Sequence, residues 1–455
     1  MIETLGAAPD LAPAGAPPAP VPLRRNLQFQ TIWIGSAAST LGVAVADVAY
    51  PLAILAVTGS PGRAGLFAAV QALGVLLAGL PAGQLADRWS PRLILIISET
   101  CRALVTVIIV IALVMGWLSF PLLIASALLL GIGQPLTSTA RMLLVRSAVP
   151  KEQLTSALTQ DEVRINGAAL AGPPVAGFLY AVRALAHSAP FIFTAASFLF
   201  SVLSALLIRI GPDRGMPAGR PGAEEMAAGR PGAAETEGRP GAAETAADEA
   251  AGDRADPRSG MLAGIRTLLG DPVLRAATLL ITAVNTFGVG LDLIAVVILR
   301  DQSVSSAMIG VALAGGAVGG LAGAPLVRPL HRLRPGVLLL TVCALQVPVF
   351  VLLAMVNGPW WMAGLLFASM LGVPAIRVLF DVLILRQAPA AERGRVVGAV
   401  MTLFALGMPV GFALAGLLLQ FLPASTAMLI LAAALALGMA CCGARRELWL
   451  ARWPQ

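Results

Sequence analysis

Charged residues are scarce in this chain. Only 12% of its 455 residues are Asp, Glu, Lys or Arg, while 58% are apolar, and soluble domains carry about 25% charged residues. This composition excludes a soluble globular protein of this length. It predicts an all-α membrane protein that crosses the lipid bilayer many times. The net charge of +7 comes from residues that flank apolar segments, as in membrane proteins, so we expect no nucleic-acid partner.

Histidines and cysteines are also few. His187 and His331 fall in predicted loops, and the four cysteines fall in predicted helices without a C-x-x-C pair. Metal sites and disulfide frameworks need closer clusters of these residues, so we expect neither a metal nor another cofactor. No nucleophile–base pair is visible within the predicted helices, which disfavours an enzyme.

A nucleotide-binding loop is absent as well. The single lysine, Lys151, follows Pro150 and precedes Glu152 with no glycine loop around it, so the Walker A motif is missing. The chain alone is therefore excluded as an ATP-driven pump of the P-loop type. An ion gradient, or the gradient of the substrate itself, would have to supply the energy for transport.

Twelve apolar segments are long enough to cross a bilayer, which takes about 20 residues in a helix. Gly- and Pro-rich turns separate them. The predicted spans are residues 28–57, 64–86, 93–115, 119–145, 156–182, 188–209, 273–299, 306–330, 336–356, 359–386, 395–421 and 424–443.

The basic residues predict the orientation of these spans. If the N-terminus is inside, the outer loops hold only Arg63, Arg183 and Arg300, and most other basic residues near span ends are cytoplasmic. Polytopic proteins carry their excess of Lys and Arg in cytoplasmic loops. We therefore expect both termini in the cytoplasm and a multi-pass protein of the cell (plasma) membrane, with a bacterial inner membrane as the expected location.

The chain divides into two groups of six spans. A Gly-Arg-Pro-Gly-Ala repeat with interleaved glutamates occurs within residues 211–260, and such a stretch has nothing to bury. We predict a disordered cytoplasmic tail at 1–27, a six-helix bundle at 28–210, a disordered cytoplasmic linker at 211–260, a second six-helix bundle at 261–443 and a cytoplasmic tail at 444–455.

The two groups of spans also resemble translated copies of each other. One register shift places Gly133 on Gly372 and Gly172 on Gly411, and it matches further glycines and prolines. Halves related by an axis along the membrane normal are one of the arrangements that secondary transporters use.

The turn between spans two and three reads Gly-Gln-Leu-Ala-Asp-Arg-Trp-Ser-Pro-Arg at residues 83–92. It resembles the signature loop of the major facilitator superfamily at Gly83, Asp87, Arg88 and Arg92, although a Ser-Pro pair replaces the usual Gly-Arg. In that family the loop is cytoplasmic and helps to lock the outward-open state. The resemblance implies a conformational-switch loop in which the aspartate faces the start of span eleven, and a fold of twelve transmembrane helices in two six-helix bundles.

Span five contains Gly172, Pro173 and Gly177, which resemble the G-P-x-x-G-G motif of exporters in the same superfamily. Small residues let helices approach closely and proline bends them, so the resemblance implies a helix-seam motif packed against the glycine-rich span eight. Generic tight packing is the alternative. The turn at 391–396 resembles that of the macrolide-efflux-like and enterobactin-exporter-like branch of drug–proton antiporters, although span four lacks the arginine that another drug–proton branch carries near residues 128–131.

Ionisable residues inside predicted spans are costly, so each is a functional candidate. Asp47 in span one has no cation in its own span, and it is the first candidate to accept a proton or to meet a cationic substrate. The alternative for Asp47 is a hydrogen bond that serves packing alone. Asp292 in span seven is the second candidate, with a solvated helix end as the alternative.

Two pairs of opposite charge also lie inside predicted spans. Glu99 and Arg102 in span three are three residues apart, and Arg377 and Asp381 in span ten are four apart, which are spacings that bring side chains together on one helix face. We interpret both as intramembrane ion pairs with a structural or gating role rather than as substrate contacts. The charged cluster at residues 161–164 is interpreted as a wetted start of span five.

The sequence therefore predicts a monomeric secondary active transporter that exports a small hydrophobic or amphiphilic compound by alternating access, in exchange for protons. The resemblance widens the substrate range to drugs, natural products and siderophores. A metabolite importer or uniporter on the same fold, and a non-transporting scaffold or sensor, are the alternatives.

Overall fold

The computed structural model describes residues 22–182, 187–208, 272–330, 334–355, 357–379 and 393–443, together with residues 266 and 270. Every regular element in these ranges is helical. The long helices are α1 (Leu27–Thr58), α2 (Pro61–Arg88), α3 (Pro91–Val114), α4 (Phe120–Ala148), α5 (Leu154–Ala181), α6 (Ala189–Leu207), α7 (Pro272–Gly288), α8 (Leu291–Asp301), α9 (Ser306–Gly323), α10 (Pro335–Leu353), α11 (Pro359–Leu371), α12 (Arg393–Phe421) and α13 (Ala424–Gly443).

Eleven stretches of the described residues are long and apolar enough to cross a membrane, and they correspond to eleven of the twelve predicted spans. The remaining span is α5, which is 28 residues long but contains charged residues and two prolines. Its length still suffices to cross a bilayer at 1.5 Å per residue. The all-α membrane fold is thus confirmed, with a helix count close to the prediction.

Helix boundaries follow ordinary capping rules. Ser60 and Ser90 each cap a helix by accepting a backbone N–H from the residue three positions on, and a proline at the first helical position follows each of them. Gly59 ends α1 with φ of 61°, a left-handed conformation that favours glycine. The Ser-Pro pair that departs from the family's signature loop therefore serves to start α3.

The seventh span is interrupted, although the sequence predicted one continuous helix. Helix α7 ends at Gly288 and α8 begins at Leu291, with Gly290 at its N-cap. Asp292 consequently lies in the first turn of a helix, where a carboxylate is favoured by the backbone dipoles. Broken helices at the midplane are a common device of secondary transporters.

Helices of the first six spans pack mainly among themselves, and so do those of the later spans. Helix α1 contacts α5 and α6, α4 contacts α2 and α3, α9 contacts α11, and α10 contacts α13. The two sets meet at two main seams, where α2 packs on α12 and α5 packs on α9.

Glycines allow the helices to approach closely at both seams. These glycines lie near the helix ends that are on the same side as the α1–α2 turn. A Cβ on Gly65 would collide with the backbone of Gly416 in α12, and a Cβ on Gly177 would collide with the backbone of α9 near Gly310. The Gln420 Oε1 also accepts hydrogen bonds from Ser60 Oγ at 2.6 Å and from Gly62 N at 3.2 Å. The halves are therefore in close contact at this end, which we call the closed end.

Towards the other ends of these helices, several glycines have open space beside them. A Cβ on Gly79 or Gly83 in α2, or on Gly320 in α9, would have no described atom of another element within 4 Å. The tight helix contacts seen at the closed end thus do not extend along the whole seam.

Candidate functional site

A cavity of about 550 Å³ lies between the two sets of helices. Its size falls in the range of roughly 300–1,000 Å³ that small-molecule sites have. Helices of spans one, four, seven and ten line it, and α2, α5, α9 and α12 contribute as well. The lining is mainly aliphatic, and its side chains with polar atoms are Asp47, Tyr50, Gln71, Gln134, Asn166 and Asp292.

Asp47 lies in α1 with its side chain exposed in the cavity, between the buried residues Ala46 and Val48. Pro51 follows within the same helix, four residues on. Because proline has no N–H, the carbonyl of Asp47 lacks its usual intrahelical donor, and such positions bend helices. The carboxylate interacts electrostatically with Arg102 and Asp292 and lies beside Gln71. The structure thus places Asp47 in the cavity rather than in a dry helix contact.

Asp292 reaches the same cavity from the opposite set of helices. It is exposed there and lines the cavity together with Val289 and Leu293. The alternative for this residue was a solvated helix end, whereas the structure places it in the first turn of α8 on the cavity wall. Two carboxylates therefore face one apolar cavity from its two sides.

An aromatic cluster closes the cavity towards the closed end. The ring of Tyr50 stacks on Phe67 with centroids 4.6 Å apart and meets the edge of Phe191 at 4.9 Å. All three rings are buried. This cluster joins α1, α2 and α6 and separates Asp47 from the α1–α2 turn.

Glu99 is the centre of a buried charge network behind the cavity wall. Its side chain is 0% exposed and lies 3.6 Å from guanidinium nitrogens of both Arg102 and Arg141. Ser39 donates a hydrogen bond of 2.7 Å to its carboxylate, and Ser201 donates another of 3.4 Å. The predicted Glu99–Arg102 pair is present, but it is one part of a larger network that spans α1, α3, α4 and α6.

Arg102 connects this network to the cavity side. Its guanidinium lies 4.1 Å from the centroid of the Phe198 ring, and its aliphatic stem occupies the space that Gly133 leaves beside α4. It also interacts electrostatically with Asp47. Arg102 thus pairs with the buried glutamate and acts on the cavity aspartate from a longer distance.

Arg164 is a buried charge and Arg141 a partly buried one, and the sequence marked neither of them as a site residue. Arg164 is 6% exposed, pairs with Asp161 at 2.6 Å and donates to Thr40 Oγ1 at 2.6 Å. Arg141 donates to the same hydroxyl at 3.5 Å. The interpretation of residues 161–164 as a wetted helix end is therefore wrong for Arg164, because its guanidinium packs against α1.

The conformational-switch loop is only partly described. Gly83 and Arg88 are exposed near the end of α2, and Asp87 belongs to its last turn, but the side chain of Asp87 lies outside the described residues. Arg92 donates from Nε to the Ala205 carbonyl at 3.0 Å and from Nη2 to the Leu206 carbonyl at 2.7 Å. Arg92 therefore fixes the loop to the C-terminal end of α6, where a cation is favoured.

Only one residue of the second predicted ion pair lies within the described residues. Arg377 is exposed in the helical segment 373–379, which follows a turn at Gly372, and Asp381 falls within 380–392, which the structure does not describe. The pairing of these two residues stays a prediction.

The helix-seam motif divides between two contacts. Gly172 packs against Ala44 of α1, whereas Pro173 and Gly177 approach Gly310 of α9. Span eight was expected to meet α5 through its glycines. Gly310 does so, whereas Gly315, Gly319 and Gly323 pack on the backbone of the α11 span. Helix α9 thus presents Gly310 to one neighbour and its later glycines to another.

Comparison with known proteins agrees with this architecture. The sequence profile of the Major Facilitator Superfamily matches residues 32–412 and 295–447. No curated protein matches the chain.

Several solved transporters share the fold at low sequence identity. A bacterial homologue of the human lysosomal transporter Spinster, in an inward-facing and occupied conformation, has a TM-score of 0.68 at 14% identity and covers 95% of this chain and 99% of its own. The nucleoside transporter NupG has a TM-score of 0.62 at 13% identity, covering 94% and 100%. A POT family transporter in complex with 5-aminolevulinic acid has a TM-score of 0.62 at 11% identity, covering 91% and 95%.

The profile match covers most of the chain, and the helical architecture, the two seams and the central cavity are those of a transporter and not of an enzyme. The chain belongs to the Major Facilitator Superfamily.

Proposed function

We propose that this protein exports a small hydrophobic or amphiphilic compound, such as a drug, a natural product or a siderophore, in exchange for protons. The observation that carries the proposal is the carboxylate of Asp47, exposed in a mainly aliphatic cavity between the two halves. An apolar wall suits a lipophilic substrate, and a carboxyl in a membrane-spanning helix with no ion-pair partner within 4.0 Å among the described residues is suited to carry a proton.

The closed seams support a state that loads from the cytoplasm. The close contacts at Gly65 and Gly177 lie at the helix ends on the side of the α1–α2 turn, which the distribution of arginines places outside. The cavity is then shut towards the outside, as befits the inward-facing state of an alternating-access cycle. Substrate would enter this state from the cytoplasm while Asp47 releases its proton.

The return of the proton would complete the cycle. After the halves rock and substrate leaves to the outside, the Asp47 carboxylate takes up an outside proton and becomes neutral. Each proton that moves inward brings about 2.3 kcal/mol per 100 mV of membrane potential. One proton per substrate therefore suffices for a modest concentration gradient.

Import of a metabolite, or uniport, is the second candidate. It is favoured by the nucleoside transporter NupG among the structural neighbours, and by the amides of Gln71, Gln134 and Asn166 on the cavity wall. The carboxylates Asp47 and Asp292 outweigh this in favour of proton-coupled export, because a hydroxyl-rich substrate would need more polar partners than this wall offers. A non-transporting scaffold or sensor is the third candidate, and the formed cavity between the halves argues against it.

Efflux from preloaded cells tests the proposal. Cells that express the chain are loaded with a panel of lipophilic cationic and neutral compounds, and efflux is followed with and without a protonophore. We expect protonophore-sensitive efflux that Asp47→Asn abolishes at matched expression. Asp301→Asn makes the same chemical change at an exposed helix end and should leave efflux unchanged.

Two results would contradict the proposal. Efflux that neither the protonophore nor Asp47→Asn reduces would show that coupling does not pass through this carboxylate. Uptake of a metabolite, with no efflux of any compound in the panel, would favour the importer.

A further inference from the structure

A second cavity lies on the lipid-facing side of the seam between α2 and α12. It is a groove of about 670 Å³ near the closed end. Its wall is almost entirely apolar, with Leu66 from α2, Phe120 from α4, and Leu417 and Phe421 from α12. These residues are partly or largely exposed, so in a membrane the groove opens to acyl chains.

One cation stands at the edge of this groove. Arg63 lines the groove, and its guanidinium lies 5.3 Å from the centroid of the Phe120 ring. Among the described residues, no carboxylate lies within 4.0 Å of this guanidinium. Arg63 is exposed at the edge of the groove, so its guanidinium donors are available to a ligand.

The level of the groove in the membrane matches that of a lipid headgroup. Trp117 is exposed just before α4, three residues from Phe120, and tryptophans collect at the membrane–water interface. Trp360 and Trp361 are exposed at the start of α11, on the same side of the membrane by helix count. Arg63 thus lies near the interface, with an apolar groove beside it.

We propose that the groove binds a membrane phospholipid, with the phosphate on Arg63 and an acyl chain along α2 and α12. A guanidinium presents several donors in a fixed geometry that matches phosphate oxygens. The apolar wall supplies the contact that a free phosphate or a soluble anion would not use. The site is separate from the central cavity, and its binding test does not depend on the transported substrate.

The site would also affect the conformational equilibrium. Both halves form its wall, and Gln420 of α12 is hydrogen-bonded to Ser60 and Gly62 beside it. Separation of α2 from α12 at the closed end would split the groove. A lipid that binds only the intact groove stabilises the closed end.

Lipid retention by the purified full chain tests this site. Delipidated protein in detergent is mixed with phosphatidylglycerol, or with diacylglycerol of the same acyl chains, and bound lipid is counted by native mass spectrometry. Loss of one exposed ion pair between guanidinium and phosphate changes affinity by up to about five-fold. We expect Arg63→Gln to lower phosphatidylglycerol retention about five-fold and Arg63→Lys to keep part of it.

Two control variants locate the site. Arg300→Gln changes an exposed arginine at the end of α8 that does not line the groove, and it should retain lipid like the unmodified chain. Ala413→Trp keeps Arg63 but fills the groove, which Ala413 lines, and it should lose the lipid. Should Arg63→Gln fail to fold, Ala413→Trp and the diacylglycerol comparison still decide the matter.

Three outcomes would overturn the proposal. Equal retention by Arg63→Gln and Arg300→Gln would remove the arginine from the site. Equal retention of phosphatidylglycerol and diacylglycerol would remove the phosphate from the interaction. Full retention by Ala413→Trp would place the lipid outside the groove.

Discussion

At the scale of single residues, Glu99 is the carboxylate at the centre of the buried charge network. Its carboxylate is the nearest negative charge to both Arg102 and Arg141, and two serine hydroxyls donate to it. A buried charge is stable only with such partners. The hydroxyls of α1 and α6 therefore serve to hold a charged network within the membrane.

Removal of the Glu99 charge should destabilise the fold. Glu99→Gln would leave two buried arginines without their shared counter-ion, and removing one partner of a buried pair costs about 3–5 kcal/mol. We expect a lower midpoint of thermal unfolding in detergent. Glu162→Gln, an exposed residue of α5, is the matched control, and an equal midpoint for both variants would mean that Glu99 carries no structural charge.

Some of the charged residues at this scale could be predicted from the sequence as site candidates, and others could not. Asp47 stood out because an aspartate in an apolar run is costly whatever surrounds it. Arg141 and Arg164 did not, because arginines near the cytoplasmic ends of spans are common and solvated. Only the packing of α1 against α4 and α5 reveals that Thr40 accepts from both guanidinium groups.

At the scale of helices, most bounds could be predicted, since apolar runs and Ser-Pro or Gly turns mark them directly. The predicted ends of span one, residues 28–57, differ from those of α1 by one residue at each end. The break in span seven was missed, because two glycines in an apolar run do not tell a bent helix from a broken one. The glycines of span eight were all assigned to α5, whereas Gly315, Gly319 and Gly323 pack on α11, since small residues predict a close neighbour without identifying it.

The glycines of the α2–α12 seam should control how firmly the closed end shuts. In Gly416→Val the side chain would collide with the backbone of Gly65, which cannot yield as a flexible side chain can. We expect the equilibrium to move away from the closed end. Gly79→Ala, in open space on α2, is the control for a helical glycine.

Thiol accessibility measures this shift. Ala68→Cys places a thiol on the cavity wall. A membrane-impermeant maleimide is added from outside, and the labelling of the chain without this cysteine is subtracted. Labelling should rise when Gly416→Val is added and stay low with Gly79→Ala. Low labelling in both would mean that this glycine contact does not hold the closed end.

At the scale of the whole molecule, alternating access requires contacts that form in one state and are absent in the other. The seam at Gly65 and Gly416 supplies such a contact for the closed end. The opposite state needs a counterpart at the other end of the same two helices. The predicted conformational-switch loop lies there, at the end of α2, and Arg92 anchors its second part to α6.

Asp87 is our candidate for that counterpart, in the last turn of α2. Facing the start of α12 in the outward-open state, its carboxylate would meet the positive end of a helix, an interaction worth about 1 kcal/mol. Asp87→Asn should therefore slow efflux about five-fold while the amount of inserted protein stays normal, because the contact belongs to one state of the cycle. Glu152→Gln, an exposed carboxylate on the same side, should leave the rate unchanged. Efflux rates compared at matched protein levels decide between them: a normal rate for Asp87→Asn would remove this residue from the switch and leave the closed-end glycines as the main determinant of the equilibrium.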